Sequence, residues 1–243
     1  MKRRLFVASL SASSLVACGP VKESLTNTFH GPLDSVQALN HALIGTRGSA
    51  RLYKESDIDA MFRVNGLDTP SDTRYADAAR DNFRAYRLPV VGLVDRPHTF
   101  TLAELRAMPQ LAQITRHDCV EGWSVIGKFG GVPLATILAM AQPKSNARYV
   151  IFSCFDKDES GTEYYESLDL HEAAHPQTLL ALDLNDKPID PDHGAPVRLR
   201  IPTQLGYKSA KWVRKIELAA AFPSPQSKGG YWEDQGYEWY GGI

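Results

Sequence analysis

The chemistry that this sequence could perform gathers first around one thiol. Cys119 stands in the stretch Arg116-His117-Asp118-Cys119-Val120-Glu121-Gly122-Trp123-Ser124, at the end of the β-type run Leu111 to Thr115. Cationic neighbours favour the thiolate, and a thiolate is both a nucleophile and a soft metal ligand. The bland alternative is a buried structural cysteine in a strand-to-loop turn. A second cluster lies between His193 and Pro202, in HGAPVRLRIP. Strand alternation puts Val197, Leu199 and Ile201 on one face and Arg198 with Arg200 on the other. Two planar guanidiniums side by side suit phosphate oxygens. The same pattern also describes two solvated arginines on a half-exposed strand. Lys208-Ser209-Ala210-Lys211-Trp212 then adds cation, hydroxyl and aromatic face. A third piece, Phe62-Arg63-Val64-Asn65-Gly66, ends in an Asn-Gly turn signal. His171 and His175 have the spacing of a helical zinc pair, but the sequence offers no third ligand, which favours a solvated or capping role.

The elements that must position these residues are short and mostly extended. Leu88 to Val94 is a continuous apolar run broken by Gly92, the pattern of a buried strand. Thr101 and Glu104 form a capping box that opens a helix ending before Pro109. Pro133 opens a helix on which Leu134, Ile137, Leu138 and Ala141 share a face. Residues 149–155 read as a strand with Val150, Phe152 and Cys154 on one side. Residues 163–170 read as another, with Asp169 able to cap a short helix behind it. Strands are also expected over 178–184 and 196–202, separated by the turn-rich 185–195. The last strand, 211–218, alternates Trp212, Ile216 and Leu218 with Val213, Lys215 and Glu217. Strands outnumber helices without a strict strand–helix repeat. The fold class is therefore α+β, a mixed sheet or barrel-like domain with short helices. The Gly- and aromatic-rich tail, 228–243, reads as packing over the domain, with contact at a substrate mouth as the second option.

The first residues read as an address. Met1 to Arg4 is a short positive region, and Leu5 to Ala17 is an apolar stretch diluted by serines, too short and polar for a permanent span. Arg3-Arg4-Leu5-Phe6-Val7 resembles the twin-arginine export signal, whose pathway carries folded proteins. Leu15-Val16-Ala17-Cys18 resembles a lipobox, which would make Cys18 the lipidated first residue. The expected organisation is an export signal over 1–17, a polar tether over 18–50 with a short helix near Leu33 to Ala42, and one domain over 51–243. A cleaved secretory signal with an incidental Cys18 is the other reading. A net charge of −1 with interspersed signs gives no basis for nucleic-acid binding. Three cysteines exclude a disulfide-rich scaffold and a four-cysteine zinc site. Once Cys18 is lipidated, Cys119 and Cys154 remain, and in an oxidising compartment they could form a disulfide.

The Cys119 stretch resembles the molybdenum-ligand loop of the sulfite oxidase family of molybdopterin enzymes, in particular its bacterial exported branch. Phe62 to Gly66, the HGxPxR run from His193 to Arg198, and Gly206 to Trp212 resemble further family segments, in the family's order over roughly Asp57 to Leu218. The resemblance implies the sulfite oxidase molybdopterin-binding fold and a molybdenum–molybdopterin cofactor, with molybdenum bound by Cys119. It also implies cofactor contacts from Arg63, Val64, Asn65, His117, Cys154, His193, Arg198, Ser209, Ala210 and Lys211. Among these, His193 and Arg198 hold the pterin and its phosphate, while Ser209, Ala210 and Lys211 wrap the opposite side. Cys154 sits where the family places a pterin-contacting residue, with no ligand role implied. Sulfite oxidases proper carry a histidine where this chain has Gly66, which speaks against sulfite as substrate.

The residue types suit that cofactor. Its dithiolene sulfurs hold the metal, so one protein thiolate suffices, and its phosphate needs Arg and Lys in fixed geometry. The resemblance implies a periplasmic, membrane-tethered enzyme of two-electron oxygen-atom transfer, acting on a small-molecule oxo donor or acceptor. The sequence has no haem ligation motif, so electrons are expected to pass to or from a separate membrane haem or quinone-linked protein. The alternative, from another class, is a cofactor-free lipoprotein binding module with a Cys119–Cys154 disulfide.

Overall fold

The computed structural model describes residues 48–66 and 69–243. The export signal, the lipobox and the helix expected near Leu33 to Ala42 lie outside them. In chain order the strands are β1 (Arg87–Gly92), β2 (His98–Thr101), β3 (Leu111–Cys119), β4 (Trp123–Pro133), β5 (Tyr149–Lys157), β6 (Glu163–Asp169), β7 (Leu179–Leu184), β8 (Lys187–Pro188), β9 (Arg198–Arg200) and β10 (Val213–Ala219). The α-helices are α1 (Thr73–Arg80), α2 (Leu102–Ala107), α3 (Leu134–Ala141), α4 (Leu170–Ala173) and α5 (Tyr231–Asp234).

These strands form two five-stranded sheets. The first runs β2-β1-β10-β5-β6, with β1 parallel to β10 and every other pair antiparallel. The second runs β3-β4-β7-β8, with β9 joining β7, and is antiparallel throughout. The architecture is the expected mixed α+β. The main core lies between the sheets, where Val90, Phe152, Ile216 and Leu218 of the first meet Leu180, Leu182, Val197 and Leu199 of the second. Leu134, Ile137, Leu138 and Ala141 of α3 join that core, as their spacing predicts. A smaller core, built on Phe62, Phe129, Leu184 and Ile189, fills the far side of the second sheet. Because β7 feeds both cores, it is buried on both faces, and its sequence reads as a continuous apolar run.

Local signals explain the element ends. Thr101 Oγ1 accepts from the Glu104 N–H while Glu104 accepts from the Thr101 N–H, closing the capping box of α2. Asp169 caps α4 by accepting from the Glu172 N–H. Two expectations need correction. The arginine strand is only three residues long, because β9 pairs solely with β7. The alternation expected for the last strand also breaks, because a bulge between Val213 and Lys215 turns Val213 into the core beside Ile216 and Leu218.

Candidate functional site

Cys119 is the last paired residue of the β3–β4 hairpin. The ladder runs from Leu111–Gly131 to Cys119–Trp123, leaving only Val120, Glu121 and Gly122 to turn the chain. Gly122 takes a positive φ of 85°, and its N–H donates to the Cys119 carbonyl at 3.1 Å. The expected strand run to Thr115 thus continues to the thiol itself, which fixes the thiol's position on a rigid element. Glu121 ties this hairpin to the Phe62–Gly66 segment. It accepts from Trp123 Nε1 at 2.8 Å and from the Gly66 N–H at 3.4 Å, while the Arg63 guanidinium lies 5.0 Å over the Trp123 ring.

Strand alternation sends Arg116 outward and His117 inward. Arg116 pairs with Asp118 at 2.8 Å, whereas His117 is fully buried. Arg200 Nη1 lies 3.4 Å from His117 Nδ1, and its Nη2 donates to Thr115 Oγ1 and the Arg116 carbonyl at 3.0 and 2.7 Å. A guanidinium only donates, so Nδ1 accepts and the neutral ring carries its proton on Nε2. Burial, then the cations Arg200, Arg198 and Lys211, hold the ring well below the usual histidine range. Nε2 is buried with no hydrogen-bond partner, and the chain at Gly206 comes so close that a Cβ there would meet it at 2.5 Å.

Arg198 is also fully buried. It donates to the His193 carbonyl and to Asn65 Oδ1, each at 3.0 Å. Lys211 Nζ donates to the Asn65 carbonyl at 2.8 Å and the Asp192 carbonyl at 3.0 Å, and lies 4.1 Å from the Trp212 ring centroid. His193 completes the clamp, with Nε2 2.9 Å from the Phe62 carbonyl and Nδ1 2.7 Å from Asp190 Oδ1. The reading of Arg198 and Arg200 as solvated charges is therefore overturned. Burial lowers them to about 10 and about 9, leaving both cationic at neutral pH. Among the described residues, neither has a carboxylate partner.

Beside this cluster opens a cavity of about 480 Å³. Asn65, Cys119, Ser209, Ala210 and Lys211, all expected from sequence to meet the cofactor, line it. Arg63, Val64, His117, His193 and Arg198 are not in its wall; Arg198, His193 and Arg63 stand behind the lining residues through the contacts above. Cys154 is elsewhere. It sits in the main core opposite Val213, fully buried, and burial holds its thiol well above the usual range. Cys119 and Cys154 are both free thiols, which removes the expected alternative of a disulfide between them. The expectation of an easily ionised Cys119 also needs correction. Burial raises its pKa, opposed by the Glu121 N–H and the cations Arg63 and Arg198, while its neighbour Arg116 is engaged by Asp118 and His117 is neutral. A bound metal would itself draw off the thiol proton.

Of three further parts of the cavity wall, two escape sequence reasoning and the third, the tail, was only its second option. Asp156 continues the inward row Val150, Phe152, Cys154 of β5. It is 8 % exposed, its Oδ1 has no partner, and burial pushes its carboxyl to about 7. A lone acid on an apolar strand face was the available signal. Tyr164 reaches the wall from β6 and donates to the Tyr207 carbonyl at 2.7 Å. Tyr231 and Trp232 of the tail form the third part, so the tail does reach the cavity as well as packing on the domain.

The donor set fits the implied cofactor. A thiol in the wall, two buried cations without carboxylates and an orphaned imidazole N–H suit an anionic group that brings its own sulfurs to a metal. No cluster of three His, Cys, Asp or Glu side chains among the described residues could hold a metal alone. His175 Nδ1 accepts from the Gln177 N–H at 3.2 Å, a local structural use of that ring.

Comparison with known proteins agrees with this chemistry. The profile of the oxidoreductase molybdopterin-binding domain matches residues 75–227. The chain is 44 % identical to a putative protein-methionine-sulfoxide reductase subunit YedZ1 of Azospira oryzae, over 79 % of this chain and 68 % of that protein. It is 35 % identical to the protein-methionine-sulfoxide reductase catalytic subunit MsrP of Ralstonia nicotianae, over 72 % of this chain and 56 % of that one. For MsrP of Campylobacter jejuni the figures are 32 %, 66 % and 58 %. The chain thus spans well under two thirds of either MsrP. Its fold resembles that of the sulfane dehydrogenase SoxCD from Paracoccus pantotrophus, with a TM-score of 0.52 and 24 % identity over 60 % of this chain and 41 % of that one.

Proposed function

The chain belongs to the family of molybdopterin-binding oxidoreductases, and on that premise we propose that it reduces methionine sulfoxide residues in polypeptides, with Cys119 as the protein ligand to molybdenum. The reaction takes a sulfoxide, two electrons and two protons to a thioether and water. The molybdenum–molybdopterin group, when bound, supplies the two-electron oxygen-atom transfer. The chain binds, orients and shields. Arg198 and Lys211 meet the cofactor's negative charge, and Asn65, locked between them, presents its amide edge. Ser209 and Ala210 line the cavity on the Lys211 side, and the rings of Tyr164, Tyr231 and Trp232 form another part of its wall. Relatives whose names specify protein-methionine-sulfoxide reductases support this substrate.

The observation that carries the cofactor assignment is the pair of fully buried guanidiniums without carboxylate partners beside the Cys119 cavity. Electrons come from a separate membrane haem or quinone-linked partner, a division that the relatives' designation as subunits supports. The enzyme works in the periplasm, exported folded by its Arg3-Arg4 signal and tethered through a lipidated Cys18, with a tether over 18–50 and the catalytic domain over 51–243. Protein exported from a host that makes molybdopterin should contain about one molybdenum per chain and reduce a methionine-sulfoxide peptide with a reduced dye as electron source. Cys119→Ser should abolish turnover while Cys154→Ser keeps metal and activity. Equal, complete loss in both variants would sink the single-thiolate assignment.

A further inference from the structure

The family profile ends at residue 227, yet two rings of the cavity wall, Tyr231 and Trp232, lie beyond it. They ride on a tail that is fastened on every side. Lys208 Nζ, on the turn just before the Ser209–Lys211 loop, binds Glu233 at 2.6 Å and also binds Glu166, and all three residues are fully buried. Tyr165 donates to Asp234 at 2.6 Å, and Trp239 Nε1 donates to Ser167 Oγ at 2.9 Å. At the chain end, the Leu205 N–H donates to the Gly241 carbonyl at 2.7 Å and the Ile243 N–H to that of Thr203 at 3.1 Å.

Between these anchors Trp232 is left 38 % exposed. It stacks on Tyr237, itself 39 % exposed, with centroids 5.3 Å apart and planes at 26°. Val120, 45 % exposed on the Cys119 hairpin, lines the same cavity. A fixed strap that shows a stacked indole to solvent at the edge of a cavity does not serve core packing, because it leaves the apolar surface uncovered. It offers a flat apolar face at a set place.

We propose that the Trp232 ring, backed by Tyr237, is the binding face for the side chain of a methionine sulfoxide residue in an extended polypeptide. This rests on the sulfoxide-reductase reading above. The methyl and methylene groups lie on the indole, and sulfur makes the contact with an aromatic ring that it makes in protein interiors. The S=O dipole then points toward the polar side of the cavity, where Cys119, Ser209 and Lys211 stand. Small sulfoxides lack the methylenes that the indole covers, so the ring selects for the longer side chain.

The test compares kcat/KM for a methionine-sulfoxide peptide with kcat/KM for dimethyl sulfoxide, using the molybdenum-loaded enzyme. In Trp232→Ala that ratio should fall about tenfold, the equivalent of one good aromatic contact. Trp232→Phe should recover part of it, and molybdenum content should hold in both. Peptide binding should also quench indole emission in the wild type more than in Trp232→Phe, a readout independent of turnover and of the alanine variant's folding. An unchanged ratio with equal quenching in an active enzyme would overturn this assignment while leaving the reductase reading intact. Wild-type holoenzyme that reduces no sulfoxide would overturn both.

Discussion

Arg198 and Arg200 sit where a cation has lost its water without gaining a carboxylate, so hydrogen bonds and a ligand anion must offset the desolvation. Arg198→Ala should therefore release cofactor more readily than it unfolds the domain. It removes charge-assisted hydrogen bonds worth about 1.5–3 kcal/mol each, and it also unlocks Asn65. Molybdenum content after dialysis, set against the melting temperature, checks this. Arg198→Lys should rescue little, because an ammonium cannot bridge the His193 carbonyl and Asn65 Oδ1 with one planar fork. Asp156 gives a prediction of opposite sign. Its carboxyl moves from the usual 3.8 to about 7 on folding, so the native state holds a proton that the unfolded chain releases first. Its contribution to stability is complete below about pH 4, is lost as pH rises to about 7, and amounts to at most about 4 kcal/mol. Asp156→Asn should flatten the fall in melting temperature between about pH 4 and pH 7. Some slope should persist, because buried Glu172 is also raised to about 7. An unchanged slope would show that Asp156 does not titrate in that window. The thiol, the arginine pair and Lys211 were legible in sequence because each belongs to a short local pattern. The neutrality of His117 and the burial of Asp156 were not, since both depend on what distant strands place against them.

At the scale of elements, strands were legible wherever one face is apolar, and the capping box at Thr101 and the cap at Asp169 marked the starts of α2 and α4. The bulge at Val213 and the brevity of β9 were invisible, because register is set by the partner strand and not by the strand itself. The turn Gly206–Lys208 matters most for the site, since it leads directly into Ser209, Ala210 and Lys211. A side chain at 206 would place its Cβ 2.5 Å from His117 Nε2 and 2.7 Å from Cε1. His117 is held by Arg200 and cannot retreat, so the turn must move. Gly206→Ala should thus cost about 1–3 kcal/mol, as overpacking does, and should also loosen cofactor binding through the displaced Ser209–Lys211 loop. Thr101→Ala, at the helix cap of α2, should cost about 1 kcal/mol with molybdenum content unchanged. Thermal melts and metal content on the pair separate a local loss of stability from a loss transmitted to the site.

At the scale of the whole molecule, the tail is joined to the domain by charge buried on all sides. Lys208 keeps its proton despite complete burial because Glu166 and Glu233 face it, and burial holds the Glu166 carboxyl well above the usual range. The second oxygens of both glutamates are buried without partners, and although the Ser167 N–H donates to Glu166 at 2.7 Å, only the ammonium links the two carboxyl groups to each other. Lys208→Met would leave two carboxyl groups facing each other in the interior. Breaking a buried pair in this way costs about 3–5 kcal/mol, more than a surface ion pair ever contributes. The nearest relief is for Glu233 to leave with the tail, which would take Tyr231 and Trp232 out of the cavity wall. Lys208→Met should therefore expose residues 228–243 to limited proteolysis while the two sheets stay protected. Replacing the whole cluster, with Lys208→Met, Glu166→Gln and Glu233→Gln together, should restore much of the stability, because no charge is then left unpaired. The rise in Glu166 sets the pH dependence. Native stability from this cluster is complete below the ordinary carboxylate pKa and is lost as pH climbs through the elevated one, so tail protection should weaken as pH rises in the wild type and not in the triple variant. Equal proteolysis of the tail in wild type and Lys208→Met would show that the chain-end contacts at Thr203 and Leu205 hold it without the buried cluster.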